Sequence, residues 1–542
     1  MNKISNTAKK TVHPPGYVLA ASVISLGGFI NGYDTGSIGA VTSMPTYEDT
    51  IGILSPAMRG FTVSLIMLTG AAPAILAGQL ADRFGRLQII MAGALIFALG
   101  AILQGAAYQL PMFLVGRALG GLGEGLWLSN MTIYICEIAP SARRGTLVST
   151  PQFMCTLGIC AGYFTCYGSI HLNGTMQWRT PFVVQAGLAL LLAIGCLVVP
   201  HSPRWLLLQG KRGQAIKELD RLDFSRVEAE KDLLGPAAEQ QSAARTTTLE
   251  SFLIIFRRQY RSRTLLALFV LGMAQLCGID GVLYYAPTLF AQAGLPSQTA
   301  SFLASGVSAI LMLLISIPAV LFADRWDRRT SVVSGGVILS GCMLLIGCLY
   351  VTDSVHAYGS GRWVVVVSIF AFALTYCVTW AVAGKIYASE IQPNNTRAAA
   401  NSLAQGVSFF TNWLVAITTP IFLANSSFGA YFLFGFLSLG TVAVLALYMP
   451  ETRGLSLESI QETFHKPPMI TNLAGHVRRL FGLTVAGARS GSGSEGPTGG
   501  QREDGEAIEM SGAVRVASEG PRNSSSAGMA VAGPLRIGAM VV

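Results

Sequence analysis

The chain has 542 residues, of which 51% are hydrophobic and only 12% are charged, and its formal net charge is +9. Soluble domains carry about 25% charged residues, so this composition, with a mean hydropathy of +0.52, excludes a soluble enzyme. The apolar residues fall into blocks of about 20, the length of an α-helix that crosses a bilayer. We therefore predict an all-α membrane protein with twelve transmembrane helices, near residues 17–39, 57–80, 87–108, 110–139, 146–169, 181–200, 263–293, 298–323, 331–352, 361–391, 397–424 and 428–449.

The first predicted helix contains an acid. Residues 27–39 read GGFINGYDTGSIG, which places Asp34 in the middle of the membrane. A charge at the bilayer centre costs about 3 kcal/mol on insertion scales, and charged residues that persist there usually serve transport. Asp34 is therefore predicted to be a functional residue.

Alternate loops differ in their content of basic residues. One set holds Arg83, Arg86 and the basic segment 204–263, whereas the other set holds only Arg179 and Arg362. By the positive-inside rule, the basic loops are cytoplasmic, and both termini lie on the same side. The positive charge thus follows from topology, and we expect no nucleic-acid partner.

The segments outside the apolar blocks complete the organisation. Residues 201–262 are charged and helix-forming, and the Gly- and Ser-rich composition beyond about residue 465 cannot bury enough apolar surface to fold. The nine cysteines show no metal-ligand spacing, so we expect no metal and no cofactor. The predicted order is a cytoplasmic N-terminus (1–16), an N-terminal six-helix bundle (17–200), a cytoplasmic helical linker (201–262), a C-terminal six-helix bundle (263–450) and a cytoplasmic tail (451–542), disordered beyond about 465.

The two halves of the chain repeat each other. The pattern E-I-x-P-x-x-x-R begins at Glu137 and again at Glu390, and ADRFGR in the first half matches ADRWDR in the second. Two six-helix repeats in the same orientation are the architecture of a major facilitator carrier, in which one half rocks against the other around a midplane substrate site. Charges at the cytoplasmic helix ends are then expected to pair across the halves in one state, as a gate, or else to have only a topological role. These residues are Asp82, Arg83, Arg86, Glu137, Arg144, Asp324, Arg325, Glu390 and Arg397.

Eight motifs occur in order at the ends and centres of the predicted helices. They are GYDTG, GQLADRFGR, GRALGGLG, EIAPSARRG, SPRWLL, GIDGVLYYAP, SEIQPNNTR and PETRGLSLE. Over about residues 17–460 the chain resembles the sugar porter branch of the major facilitator superfamily, and its large cytoplasmic loop resembles that of fungal members. The resemblance implies a monomeric sugar transporter of the plasma membrane, driven by the proton gradient, rather than an enzyme.

The resemblance also implies roles for Asp34 and Arg117. Asp34 matches the aspartate of proton-coupled sugar porters, and Arg117 in the fourth helix matches the partner of that acid. Burial favours the neutral form of a carboxyl, whereas a nearby guanidinium favours the charged form. If the distance between the two side chains changes with conformation, Asp34 carries a proton in one state only. The alternative is a permanent ion pair that joins helices one and four.

Three positions depart from the family pattern. Asp280 replaces the asparagine of the seventh-helix motif, and Lys385 replaces a tryptophan that stacks on the sugar in relatives. Glu124 follows Arg117 by two helical turns, on the same face, where relatives have a small or apolar residue. An anionic sugar such as galacturonate can place its carboxylate on Lys385. Equally, Lys385 can pair with Asp280, which leaves a neutral hexose, pentose or polyol as the substrate.

The remaining substrate-site residues follow from the resemblance. Side-chain amides suit sugar hydroxyls because they both donate and accept hydrogen bonds. Met312 stands where many members have a polar residue, and two gate motifs carry His201 and Asp327 in place of glutamate and glycine. The expected substrate-binding residues are Gln152, Ile159, Gln275, Asp280, Lys385 and Asn412.

Two further functions share this fold. A facilitator would transport sugar without protons, and a sensor would bind sugar without transporting it. The Asp34–Arg117 pair favours proton symport over both, with a sugar or sugar acid, protons and the lipid bilayer as partners.

Overall fold

The computed structural model describes residues 15–140, 143–223, 248–295, 298–322, 326–356, 359–393, 396–453 and 464. These residues are almost entirely helical. Several predictions lie outside them: the disordered tail, the centre of the linker, and the gate residues Asp324 and Arg325. The side chain of Arg144 also lies outside the described part, although its backbone begins a helix.

Six helices form the N-terminal half, and we number them α1 to α6. They are α1 (Gly16–Ile24 and Leu26–Val41), α2 (Pro56–Phe84), α3 (Arg86–Gly105), α4 (Leu110–Ile138), α5 (Arg144–Ser169) and α6 (Met176–Val198). A short helix, Pro45–Ile51, joins α1 to α2. Three others, Pro203–Leu208, Arg212–Arg221 and Thr248–Ile255, belong to the predicted linker.

Six further helices, α7 to α12, form the C-terminal half. They are α7 (Arg261–Leu276, Ile279–Tyr284 and Ala286–Gln292), α8 (Gln298–Leu321), α9 (Arg328–Val351), α10 (Gly361–Val378, Trp380–Gly384 and Lys385–Glu390), α11 (Arg397–Asn425) and α12 (Gly429–Tyr448).

Twelve helices are therefore long enough to span a bilayer. Ten of them combine this length with high hydropathy among the described residues. The other two, α4 and α5, have 29 and 26 residues and carry more polar side chains, because they face the centre of the protein. Large apolar side chains such as Val183, Leu197 and Val367 are exposed and face outward, as expected for a surface covered by lipid.

Small residues let the helices approach closely, as is common in membrane proteins. Gly32 of α1 lies against the backbone of Cys155 in α5, within the N-terminal half. Gly39, near the C-terminal end of α1, lies against the carbonyl of Tyr284 in α7, so the two halves touch on the side opposite the linker, which is the outer side in the predicted topology. A side chain at Gly39 would overlap that carbonyl.

Two helices of the C-terminal half are interrupted near their centres. In α7, Gly278 adopts the left-handed conformation (φ +92°), which glycine tolerates best, and the helix restarts at Ile279. In α10, Trp380–Gly384 forms a turn of π-helix, a feature that is frequent at functional sites. These interruptions are followed directly by Asp280 and Lys385.

Candidate functional site

A cavity lies between the two halves, midway along the spanning helices. It measures about 780 Å³ including its opening to solvent, and helices of both halves line it. All the residues predicted to bind substrate lie in its wall: Gln152, Ile159, Gln275, Asp280, Lys385 and Asn412. Met312 also lies in the wall. The position at which many members of the family have a polar residue is therefore an apolar part of this cavity.

Lys385 connects the two halves across this cavity. Its Nζ donates a 2.7 Å hydrogen bond to Oε1 of Gln152, which belongs to α5 of the other half. The lysine side chain is exposed, so its ammonium faces the solvent-filled space rather than the packed interior. An ammonium has three donors and no acceptor, and the bond to Gln152 occupies one donor.

Asp280 also lies in the wall of the cavity and is only 8% exposed. Its Oδ2 and the Oδ1 of Asn412 are both buried without a hydrogen-bond partner. No ion pair between Asp280 and Lys385 occurs among the described residues, although the two charges are close enough to interact. The cavity thus has a cationic part at Lys385 and an acceptor-rich part at Asp280 and Asn412.

Gln275 makes contacts with its own half. Its Nε2 donates to Oγ of Ser408 at 3.1 Å, and its Oε1 accepts from the hydroxyl of Tyr376 at 3.4 Å. These bonds hold the amide in the cavity wall, where a sugar hydroxyl can reach it. Neither Ser408 nor Tyr376 was identified from the sequence, although Ser408 stands one helical turn before Asn412.

Asp34 and Arg117 form a buried ion pair beside the cavity. Arg117 Nη1 lies 2.6 Å from Oδ1 of Asp34, and its Nη2 donates to the carbonyl of Val63 at 2.7 Å. Both side chains are almost completely buried. Gln185 of α6 donates a second bond, of 2.9 Å, to the same Oδ1. The sequence analysis missed Gln185, whose only signal was an isolated amide in an otherwise apolar helix.

Glu124 lies next to this pair but is not part of it. Asn31, one turn before Asp34 in α1, donates a short hydrogen bond from Nδ2 to Oε1 of Glu124. Asn31 also lines the cavity, whereas Asp34 and Glu124 do not. Glu124 is therefore hydrogen-bonded to a residue of the cavity wall, whereas Asp34 is bonded to Arg117 and Gln185, which are not part of that wall.

The predicted gate residues of the N-terminal half form one cluster. Arg86 contacts Asp82 at 2.5 Å and Glu137 at 3.1 Å, and the hydroxyl of Ser202 donates to Glu137 at 2.6 Å. Arg83, in the last turn of α2, lies over the ring of its neighbour Phe84. Ser202 explains why the SPRWLL motif accompanies these charges: it caps the helix Pro203–Leu208 and binds the gate acid.

The corresponding cluster of the C-terminal half has the same form. Arg328 contacts Glu390 at 3.4 Å, and Thr452 donates to the second oxygen of Glu390 at 3.0 Å. Arg397 donates to the backbone of Gln392 at 3.1 Å. Glu451, in the PETRG motif, accepts bonds from the first two backbone N–H groups of α9.

Each described ion pair of these clusters joins residues of one half. The pairing across halves that the repeats predicted is not among them, and the halves are in contact at Gly39, on the side opposite the linker. Among the described residues, these ion pairs therefore stabilise each half separately.

The chain was compared with known proteins. Residues 20–464 match the family model described as "Sugar (and other) transporter". The chain is 30% identical to the arabinose-proton symporter of Bacillus subtilis, over 84% of this chain and 96% of that protein. It is 31% identical to the MFS-type transporter criB of Aspergillus cristatus, over 82% and 93%. Among solved structures, the proton:xylose symporter XylE bound to 6-bromo-6-deoxy-D-glucose has a TM-score of 0.70 at 23% identity and covers 82% of this chain and 99% of that one.

Proposed function

Because the chain belongs to the sugar transporter family of the major facilitator superfamily, we propose that it couples the uptake of a monosaccharide to the entry of protons. It is a multi-pass membrane transporter and not an enzyme. In the proposed cycle the two halves rock around the central cavity and expose it alternately to the two sides of the plasma membrane. Both termini are proposed to be cytoplasmic, and the carrier to act as a monomer.

The Asp34–Arg117 pair is the observation that supports proton coupling. An ionised carboxylate this deeply buried is tolerated because Arg117 lies 2.6 Å away. Separating the two by movement of α1 against α4 would leave an uncompensated buried charge, which costs several kcal/mol. Protonation of Asp34 removes that cost, so proton binding and conformational change become linked. A relative named as a proton symporter supports the same reading.

The arrangement of Lys385 and Asp280 supports a sugar acid as the substrate. Lys385 contacts an amide, not Asp280, and its charge faces the cavity. A carboxylate on the substrate would accept the free donors of Lys385, while substrate hydroxyls would donate to Asp280 and Asn412. A neutral sugar is the second candidate, because Asp280 adds negative charge to the cavity and the named ligands of the relatives are neutral sugars.

Uptake in yeast cells that lack hexose carriers tests the proposal. Labelled galacturonate and labelled glucose are supplied at about pH 5, with and without a protonophore, to cells expressing the chain, its Lys385→Trp variant or the control variant Lys211→Trp. Lys211 is a lysine of the linker, remote from the cavity. Galacturonate uptake that is lost with protonophore and in Lys385→Trp, but kept in Lys211→Trp, supports a sugar-acid symporter.

Other outcomes distinguish the alternatives. Protonophore-sensitive glucose uptake without galacturonate uptake assigns a neutral substrate. Uptake that the protonophore leaves unchanged indicates a facilitator. A chain that reaches the plasma membrane, binds sugar and takes up neither compound is a sensor.

A further inference from the structure

A second buried acid lies beside the Asp34–Arg117 pair. Glu124 is 0% exposed, and none of the ion pairs between described residues includes it. Its Oε1 accepts a hydrogen bond from Asn31, and its Oε2 has no hydrogen-bond partner. Arg117 directs its guanidinium to Asp34 and to the carbonyl of Val63 instead.

The cluster of Asp34, Arg117 and Glu124 is electrically neutral only if it holds one proton. Asp34 and Arg117 together are neutral, so an ionised Glu124 would add a net negative charge inside the protein. A buried charge without a partner is far more costly than a buried neutral group. One proton on the two acids makes the cluster neutral. In the described conformation Asp34 is ion-paired, so Glu124 is the acid that holds this proton.

The position of Asn31 provides access to Glu124. Its side chain lines the cavity and also donates a hydrogen bond to Glu124, whereas Arg117 and Gln185, the side-chain partners of Asp34, do not line the cavity. Of these two acids, Glu124 is therefore the one that, among the described residues, is joined to the cavity wall by a side-chain hydrogen bond.

Other titratable and charged groups around Glu124 do not replace the proton. Asp34, Cys155 and Tyr284 face it from α1, α5 and α7, and Arg117 lies on its own helix. Of these, only Arg117 is a cation, and it is paired. Helices α2 and α3 also pack on α4, but their charged residues lie in terminal turns: Arg59, Asp82, Arg83 and Arg86.

We propose that Glu124 is a second proton-binding site, which takes a proton from the cavity past Asn31 and holds it while Arg117 is paired with Asp34. No bond other than O–H is made or broken: the proton passes from cavity water to a carboxylate oxygen and back. The proposal rests on proton-coupled transport for its role in the cycle, but the occupancy of Glu124 is measurable without transport.

Infrared difference spectroscopy of the purified full-length chain tests the site. A protonated carboxyl gives a C=O band distinct from that of a carboxylate, and the band shifts in D₂O. We expect such a band in the wild type, its loss in Glu124→Gln and its retention in Glu48→Gln, a matched change of an exposed glutamate outside the membrane. In Asn31→Leu the band should persist, but its shift in D₂O should be slower than in the wild type.

An unchanged band in folded Glu124→Gln would overturn the proposal. If Glu124→Gln does not fold, Asn31→Leu decides, and a D₂O shift as fast as in the wild type would contradict the path past Asn31. Failure of proton coupling would be recognised in the uptake assay and not in the spectra. The wild type would then take up sugar at a rate that the protonophore does not change. Loss of the band together with such uptake would retain the proton site and reject coupling.

Discussion

Two acids beside one arginine should be energetically coupled. Glu124→Gln keeps an oxygen that accepts the bond from Asn31 and removes no ion pair, so we expect a loss of at most about 1 kcal/mol, the value of one hydrogen bond. Asp34→Asn removes the partner that lies 2.6 Å from Arg117. Glu124 can then ionise and supply the missing negative charge, which limits the loss to about 1–3 kcal/mol.

The double variant should lose about 1 kcal/mol more stability than the sum of the losses of the single variants, which lies within the range expected for coupled residues. With neither acid present, the buried guanidinium has no negative partner, and a buried pair broken in this way costs about 3–5 kcal/mol. The assay measures the melting temperature of the purified chain in detergent. The readout is the fraction of the protein that remains monodisperse after heating. Glu48→Gln serves as the control for the loss of an exposed carboxylate.

Additive effects would refute this reasoning. Independent sites add to within about 0.5 kcal/mol, whereas residues of one network couple by about 0.5–3 kcal/mol. If the melting temperature of the double variant falls by the sum of the decreases of the two single variants, the ionisation of Glu124 does not depend on the charge of Arg117. The one-proton count of the cluster would then be wrong.

Three further changes have expected outcomes. Gly39→Ala places a methyl group against the carbonyl of Tyr284, so the two halves should no longer close at this end. We expect the variant to fold and reach the membrane but to lose uptake. Uptake at the wild-type rate would contradict the contact. Glu137→Gln weakens a buried pair with Arg86, which keeps its second partner Asp82, and we expect a loss of about 1–3 kcal/mol, seen as a lower melting temperature. Glu451→Ala removes the acceptor for the first two N–H groups of α9, and we expect a loss of about 1 kcal/mol, as for other helix caps; an unchanged melting temperature would show that water replaces the cap.

The fold and the location of the site were predictable from the sequence, because both depend on local signals. Apolar block length determines the spanning helices, and the matched motifs placed Asp280 of α7 and Lys385 of α10 among the residues that line the cavity. The partner of Lys385 was not predictable, because the contact with Gln152 depends on how one half sits against the other. Gln185 was missed because its bond to Asp34 depends on how α6 packs against α1 within the N-terminal half.

The gate shows a different limit of sequence reasoning. The repeats identified the charged residues, including Glu137 and Glu390, but not their partners in the described conformation, which lie in the same half. A carrier has several conformations of similar free energy, and a single sequence encodes them all. The described ion pairs within each half belong to one of these conformations.

The hydrogen bond between Lys385 and Gln152 bears on how the empty carrier returns. A carrier that accumulates its substrate must change conformation without bound substrate. Polar groups of the cavity wall that lack hydrogen-bond partners then oppose the approach of the two halves. Here Lys385 bonds to Gln152 across the two halves, and we expect this bond to take the place of substrate contacts during that step. A sugar that binds must then displace the bond, which should weaken its apparent affinity. If the bond assists the return step, preloading vesicles with sugar should accelerate uptake little.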